Sequence, residues 1–306
     1  MECDYIGLYD SKHLFYYNSN NVLDIITNTN ELFHSISYSS LFDINDASYK
    51  VYTISLFLNR IYVLLLSQTP QISFKAFILD LPSKNAYNIL LPEEVYQEIS
   101  SKISLCKFTY VLEQNKIFLI GGIMQDNKHI QKSIFTFDIS LYSFMKEKYT
   151  EFTLIPRYRH SCTSQNGIIY VIGGFTSYPE SDTIISNEVQ FGKYDNSQLH
   201  KFNIVKIEGE KPELMIDANI KIVNDRYVIA FSAYKYSKIW IMDTKDNKGK
   251  NYDLRKESFE DYNDENIKIN LIQNDITDEG KKINLCIAII DKANKKINTK
   301  YLILNL

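Results

Sequence analysis

Histidine, cysteine, tryptophan, proline and glycine are all scarce in this 306-residue chain, at 5, 4, 1, 6 and 10 copies. The four cysteines (Cys3, Cys106, Cys162 and Cys286) lie far apart with no Cys-x-x-Cys pair. That argues against a local zinc site or a dense disulfide framework and suits a reducing cytoplasm. The longest apolar run, residues 51–67, is broken by Asn59 and Arg60 and is too short to cross a bilayer as a helix. The N-terminus carries Glu2 and Asp4 with no basic start before an apolar stretch, so it does not read as a secretory signal. Neither sign of charge dominates: the net charge is -3, so no global basic field points to nucleic acid or an anionic membrane. No Gly-rich phosphate loop, His-Glu-x-x-His pair or nucleophile elbow is present, and no cofactor is expected. The expectation is a soluble, cytoplasmic protein with neither nucleic-acid binding nor membrane insertion.

What the chain does have is 23 Tyr and 17 Phe, together with many Ile, Val and Thr, the residues that suit a pleated, half-buried surface. One phrase recurs: a polar turn, then a basic or apolar residue, then an apolar run. It stands at residues 10–18, 58–66, 114–122, 165–174, 224–232 and 279–288. With Phe15, Tyr62, Phe118, Tyr170, Val228 and Asn284 as equivalents, the intervals are 47, 56, 52, 58 and 56 residues. Each copy reads as an apolar strand, a tight turn, the anchored second strand, a loop of variable length and a third strand. The first five add a fourth. Four antiparallel strands recurring about every 50 residues are the sequence form of a β-propeller blade.

Punctuation agrees with this reading. Gly167, Gly249 and Gly280 fall in tight turns, and no proline falls inside a strand. Only residues 92–103 offer a helix, one or two turns in a connection. The expected fold is therefore all-β: one six-bladed β-propeller of four-stranded antiparallel blades, at roughly 1–45, 46–100, 101–150, 151–210, 211–262 and 263–306. The last blade stops after its third strand, so its outer strand is absent, supplied by another molecule, or carried by a longer chain.

Two copies carry more than the period. Gly121-Gly122 follow one second strand and Gly173-Gly174 the next; Phe137-Asp138 close a third strand, Phe144 stands six residues after that Asp, and Arg157 to Ser161 open the following copy. This pattern resembles the kelch repeat over residues 108–195. The other copies carry Asn18-Ser19, Leu65-Leu66, Phe231-Ser232 and Ile287-Ala288 in place of the diglycine, which predicts a divergent propeller with differently packed inner strands. The resemblance implies a non-catalytic scaffold or adaptor that presents loop surfaces to another protein. Two alternatives stand beside it: the substrate-recognition subunit of a ubiquitin ligase with its BTB part elsewhere, and a hydrolase or isomerase using a central pocket.

Candidate contact residues come from what is not repeated. Arg157, Tyr158, Arg159 and His160 form a run of the residue types favoured at protein-recognition hot spots, although an Arg here also suits a purely loop-pinning role. His129 and His160 fall on loops able to share a rim, too few for a metal centre. Tyr178 lies in the loop after the fourth copy's second strand. Two acidic inter-blade loops, 208–214 and 257–266, the latter with Glu260, Asp261 and Tyr262, neighbour Tyr234 and Tyr236. Such a rim favours a basic or extended peptide segment, against the bland reading of solvated loops.

Overall fold

The computed structural model describes residues 2–19, 21–42, 49–67, 74–89, 107–111, 116–122, 130, 134–138, 140–141, 143–146, 154–176, 184–195, 198–232, 238–253, 267–277 and 282–305. The strands in chain order are β1 (Glu2–Tyr9), β2 (Lys12–Asn18), β3 (Val22–Thr27) and β4 (Leu32–Ser37), followed by the helix α1 (Tyr38–Phe42). Next come β5 (Tyr49–Phe57), β6 (Arg60–Ser67), β7 (Phe74–Asp80) and β8 (Asn85–Ile89). The middle of the chain holds β9 (Lys107–Val111), β10 (Lys116–Ile120), β11 (Ile134–Asp138), β12 (Ser143–Lys146), β13 (Ser161–Gln165), β14 (Ile168–Ile172) and β15 (Val189–Asp195). Then follow β16 (Gln198–Leu199), β17 (Asn203–Ile204), β18 (Glu208–Gly209), β19 (Asn219–Val223), β20 (Tyr227–Ser232), β21 (Lys238–Asp243) and β22 (Lys248–Asp253). The last are β23 (Ile267–Thr277), β24 (Lys282–Asp291) and β25 (Lys296–Asn305).

Apart from α1, the described elements are all strands. They form antiparallel sheets in sequence order, five with four or five strands and one, β23-β24-β25, with three. The exception to antiparallel pairing is β18, which joins β22 in parallel at Glu208 and Gly209. The chain divides into two compact units, residues 1–100 with 264–306 and residues 101–263. In the first, β1 lies against β5 and β23; in the second, β13 lies against β9 and β19. First strands side by side, each leading its own meander outward, are the β-propeller arrangement.

Why the second strands read as unbroken apolar runs is visible in the packing. Leu14 and Tyr16 of β2 join Ile61, Val63 and Phe77 of the second sheet, whereas Phe15 and Tyr17 join Ile272, Cys286 and Ala288 of the last. Successive side chains point to opposite faces of a strand, and both faces are covered. In the other unit, Phe118 and Ile120 of β10 pack with Ile169 and Val171 of β14, and Ile172 packs with Val228 and Trp240. Each fully buried side chain of this size contributes about 1.5–3 kcal/mol.

Local chemistry sets the turns. The hairpins β1/β2, β5/β6 and β13/β14 each turn on two residues with positive φ, Asp10-Ser11, Leu58-Asn59 and Asn166-Gly167, the two-residue turn whose twist matches the flanking strands. A basic residue at the start of the second strand, or in the turn just before it, meets an Asp closing the third in three sheets: Arg60–Asp80 at 3.3 Å, Lys116–Asp138 at 3.8 Å and Arg226–Asp243 at 2.6 Å. The same Asp then caps the next turn, accepting from the backbone N–H of Ser83, of Ser140 and Leu141, and of Lys245 respectively.

Some expectations change. The fourth strand expected in the fourth copy is not one strand: two short ones, β16 and β17, each pair with β15. The chain after β4 makes a short helix, whose Tyr38 and Phe42 are buried. Residues 92–103 lie outside the described residues.

Candidate interaction rim

The diglycines carry the second unit's loops. β10 and β14 each stop immediately before one, and all four glycines have positive φ. The Gly122 N–H donates to the carbonyl of Arg157 at 2.9 Å, and the Gly174 N–H donates to that of Met215 at 2.8 Å. In both places, therefore, the end of an inner strand is bonded to the loop that opens the following sheet. A Cβ on Gly173 would lie 1.9 Å from Met215 O, and one on Gly121 would lie 2.6 Å from Arg157 O, so the approach excludes any side chain. Where the diglycine is missing, the strand runs on, as in β6 and β24, or a side chain takes over the bond. Asn18 donates its amide to Tyr49 O at 3.0 Å and accepts from the Tyr38 hydroxyl.

The loop opening the fourth sheet contains the run of four candidates, and the structure corrects the picture of an exposed cluster. Arg157 is 0% exposed. Its guanidinium donates to the carbonyls of Ile155, Gly173 and Glu188 and to Gln190 Oε1, at 3.0–3.3 Å. Desolvation pulls its pKa down to about 10, so it remains a cation at neutral pH, satisfied by backbone oxygens. Its place is the inside of the loop, the pinning role. Tyr158 is buried with Phe175, Ile130 and Ile216, its ring 5.2 Å from that of Phe175; burial also raises its pKa. His160 is 0% exposed, against Gly121 and Gly174, so a solvated rim histidine is not what the fold makes of it. Burial follows from the diglycine contacts: the loop is drawn onto two glycine backbones, and three of these four side chains turn inward.

Arg159 remains at the surface. Its φ is +53°, and its guanidinium lies over the Phe175 ring at 5.9 Å. Its Nε donates to Asp217 Oδ2 at 2.7 Å, and its carbonyl accepts from the Asp217 N–H at 2.9 Å. Asp217 and Leu214, in the loop opening the fifth sheet, also have positive φ, +47° and +53°. Non-glycine residues in this region carry strain that the surroundings must hold, and three of them gather in two bonded loops. Beside them lies an open pocket of about 430 Å³, lined by residues 185–187 and 210–214. Lys211 Nζ contacts Glu188 Oε1 at 2.8 Å, and Glu210 accepts from the Trp240 indole N–H and the Asn251 N–H. The acidic 208–214 stretch is thus fastened to the fifth sheet rather than loose in solvent.

Asp217, Lys211 and Phe175 are rim residues that inspection of runs and charged loops passes over. A signal for one exists: Arg159 and Asp217 are 58 residues apart, the same interval that separates Tyr170 from Val228, so they hold the same place in successive repeats. His129, Tyr178, Tyr234, Tyr236, Glu260, Asp261 and Tyr262 lie outside the described residues.

A kelch motif matches residues 156–186, from the start of this entry loop through Gly173-Gly174 to Ser186. No curated protein matches the chain. The sheets define a β-propeller-type protein. Within it, the one segment 156–186 is similar to the kelch motif.

Proposed function

We propose that the chain is a non-catalytic protein-interaction module, a six-bladed kelch-type propeller serving as a cytoplasmic scaffold or adaptor. The contact surface is the rim where the loops opening the fourth and fifth sheets meet. One observation carries the reading: inside the kelch-matched segment, the buried Arg157 and the diglycines hold a strained loop whose outward product is the Arg159–Asp217 pair beside Phe175 and the open pocket. Rigid backbone presenting a planar guanidinium, an aromatic face and the exposed Ile184 is what recognition of another protein calls for. The acidic residues Glu188, Glu210 and Glu213 around the pocket favour a basic or extended segment as the partner's contribution.

The test is affinity capture with cross-linking from native cells, comparing the parent with Arg159→Glu and with Lys211→Glu. Both side chains are at the surface, so both variants are expected to keep the parent melting temperature and to lose at least one captured protein. An unchanged set of cross-linked proteins with both variants would sink the assignment of this rim.

A further inference from the structure

The segment that leaves the fourth sheet does not pass straight to the start of the fifth. It runs along the outer strand β22, where it makes the one parallel pairing among the described residues, Glu208 with Lys248 and Gly209 with Gly249. The Glu208 N–H donates to Asn247 O and the Glu210 N–H to Gly249 O, each at 2.9 Å. At Glu210 the ladder changes hands. Its carbonyl accepts from the Trp240 indole N–H at 2.8 Å, and its carboxylate takes the next backbone donor, the Asn251 N–H, at 2.6 Å. The Asn251 amide then donates to Lys211 O at 2.8 Å, and Pro212, which has no N–H, ends the pairing. Two glycines make the approach possible. A Cβ on Gly249 would stand 2.3 Å from Glu210 O and 2.9 Å from the Trp240 indole nitrogen, while Gly209 has φ +83° and its Cβ would stand 2.8 Å from Gly249 O.

Glu208, Gly209, Glu210 and Lys211 are all exposed; of the crossing residues, Ile207 tucks partly against the cluster that holds Trp240. Hydrogen bonds at the surface contribute little net, so a segment held in this way opens more readily than the sheet beneath it. We propose that residues 206–211 are a releasable strap, and that the edge of β22 under them is a peptide-accepting site for which the strap is the built-in occupant. The contacts define the ligand class. It is an extended segment running parallel to β22, with an aliphatic residue in the place of Ile207, a glycine two positions on against Gly249, and an acidic residue next to reach the Asn251 N–H. With the strap down, the edge of the fifth sheet is covered and the site is closed. With the strap lifted, the backbone groups of Asn247, Gly249 and Asn251 are open to a matching strand, which adds through main-chain hydrogen bonds.

The chain's single tryptophan reads the strap directly, since Trp240 is fully buried and its indole is bonded to Glu210. Gly209→Val puts a branched residue at a positive φ and is expected to lift the strap. Trp240 emission then shifts to the red and acrylamide quenches it several-fold more, with the strand circular dichroism unchanged. A synthetic peptide of residues 204–214 at about 1 mM, a concentration suited to one short strand, should return emission and quenching of this variant to the parent values. The same peptide carrying Gly209→Val should not. Hydrogen exchange on the parent chain needs no variant: the Glu210 and Asn251 amides should exchange at least about ten-fold faster than the amides inside β20 and β21. Should Gly209→Val lose its strand signal, the exchange comparison decides alone. Unshifted Trp240 emission in a folded Gly209→Val chain overturns the proposal, as does a parent-sequence peptide that restores nothing, or exchange at Glu210 and Asn251 as slow as in β20 and β21.

Discussion

At the scale of single residues, the backbone decides more than the side chains do. Gly173 has φ +70° and its missing Cβ would stand 1.9 Å from Met215 O; two independent constraints thus require glycine. Gly173→Ala is expected to destabilise the protein by about 2–4 kcal/mol, strain and steric displacement together, read as a fall in denaturation midpoint, with loss of protection at the Gly174 amide that donates to Met215. A variant within about 0.5 kcal/mol of the parent would show that the loop yields freely. The opposite case is Leu58, 74% exposed at φ +46° in the two-residue turn between β5 and β6. Leucine gains nothing there by burial and pays the left-handed penalty, whereas asparagine suits the position. Leu58→Asn should therefore raise stability, by about 0.5–1 kcal/mol, seen as a higher melting temperature; a lower one would mean that the Leu58 side chain packs in solution.

At the scale of the element, the basic residue and Asp that bracket the second and third strands form a latch with a sign that can be worked out. The Arg226 hydrogen bonds, ahead of the Lys245 N–H, hold the Asp243 pKa below the ordinary carboxylate value of 3.8. A carboxylate depressed in the folded state adds stability that is full above that ordinary value and is lost as pH falls through the folded pKa. Arg226→Ala should lower the denaturation midpoint near pH 6, and lower it by less near pH 2. Equal differences at the two pH values would show that Arg226 acts through its guanidinium over the Tyr227 ring and not through the Asp243 carboxylate. The strands that these latches join were legible in advance because turn residues and apolar runs are local in sequence; the ion pairs themselves were not anticipated. Nor were the loop contacts. Arg157 looks the same in sequence whether it faces a partner or three buried carbonyls, and only the closeness of its own backbone to Gly121 and Gly122 draws its loop inward. The Arg159–Asp217 pair was hidden for a different reason: its members are adjacent only when residues one repeat interval apart are compared.

At the scale of the molecule, the two ends of the sequence meet in one unit, with the first sheet packed on the last. Phe15, Tyr17 and Ile26 share a buried cluster with Ile272, Cys286, Ala288, Ile290 and Ile297, and β1 lies along β23. Among the described residues no strand is exchanged between these two sheets: β1 to β4 form one and β23 to β25 the other. What fixes their register is therefore side-chain chemistry. Asn270 donates to Asp4 Oδ1 at 2.6 Å, while Asn30 Oδ1 accepts from the Ile297 N–H at 2.9 Å and its amide reaches Ile297 O at 3.5 Å. Asn30 has φ +63°, so replacing it with alanine would mix backbone strain with the lost bonds; Asn30→Gly removes the side chain and keeps the turn. Losing this pair should cost about 1–2 kcal/mol and let the two sheets part more often without dissolving either. Hydrogen exchange separates the possibilities. Faster exchange confined to the Ile297 end of β25 and the facing residues of the first sheet, with the β9–β22 amides unchanged, is the expected pattern. Uniformly faster exchange throughout would mean that the junction between the terminal sheets unfolds only with the whole molecule, and unchanged exchange at Ile297 would mean that the apolar cluster alone sets the register.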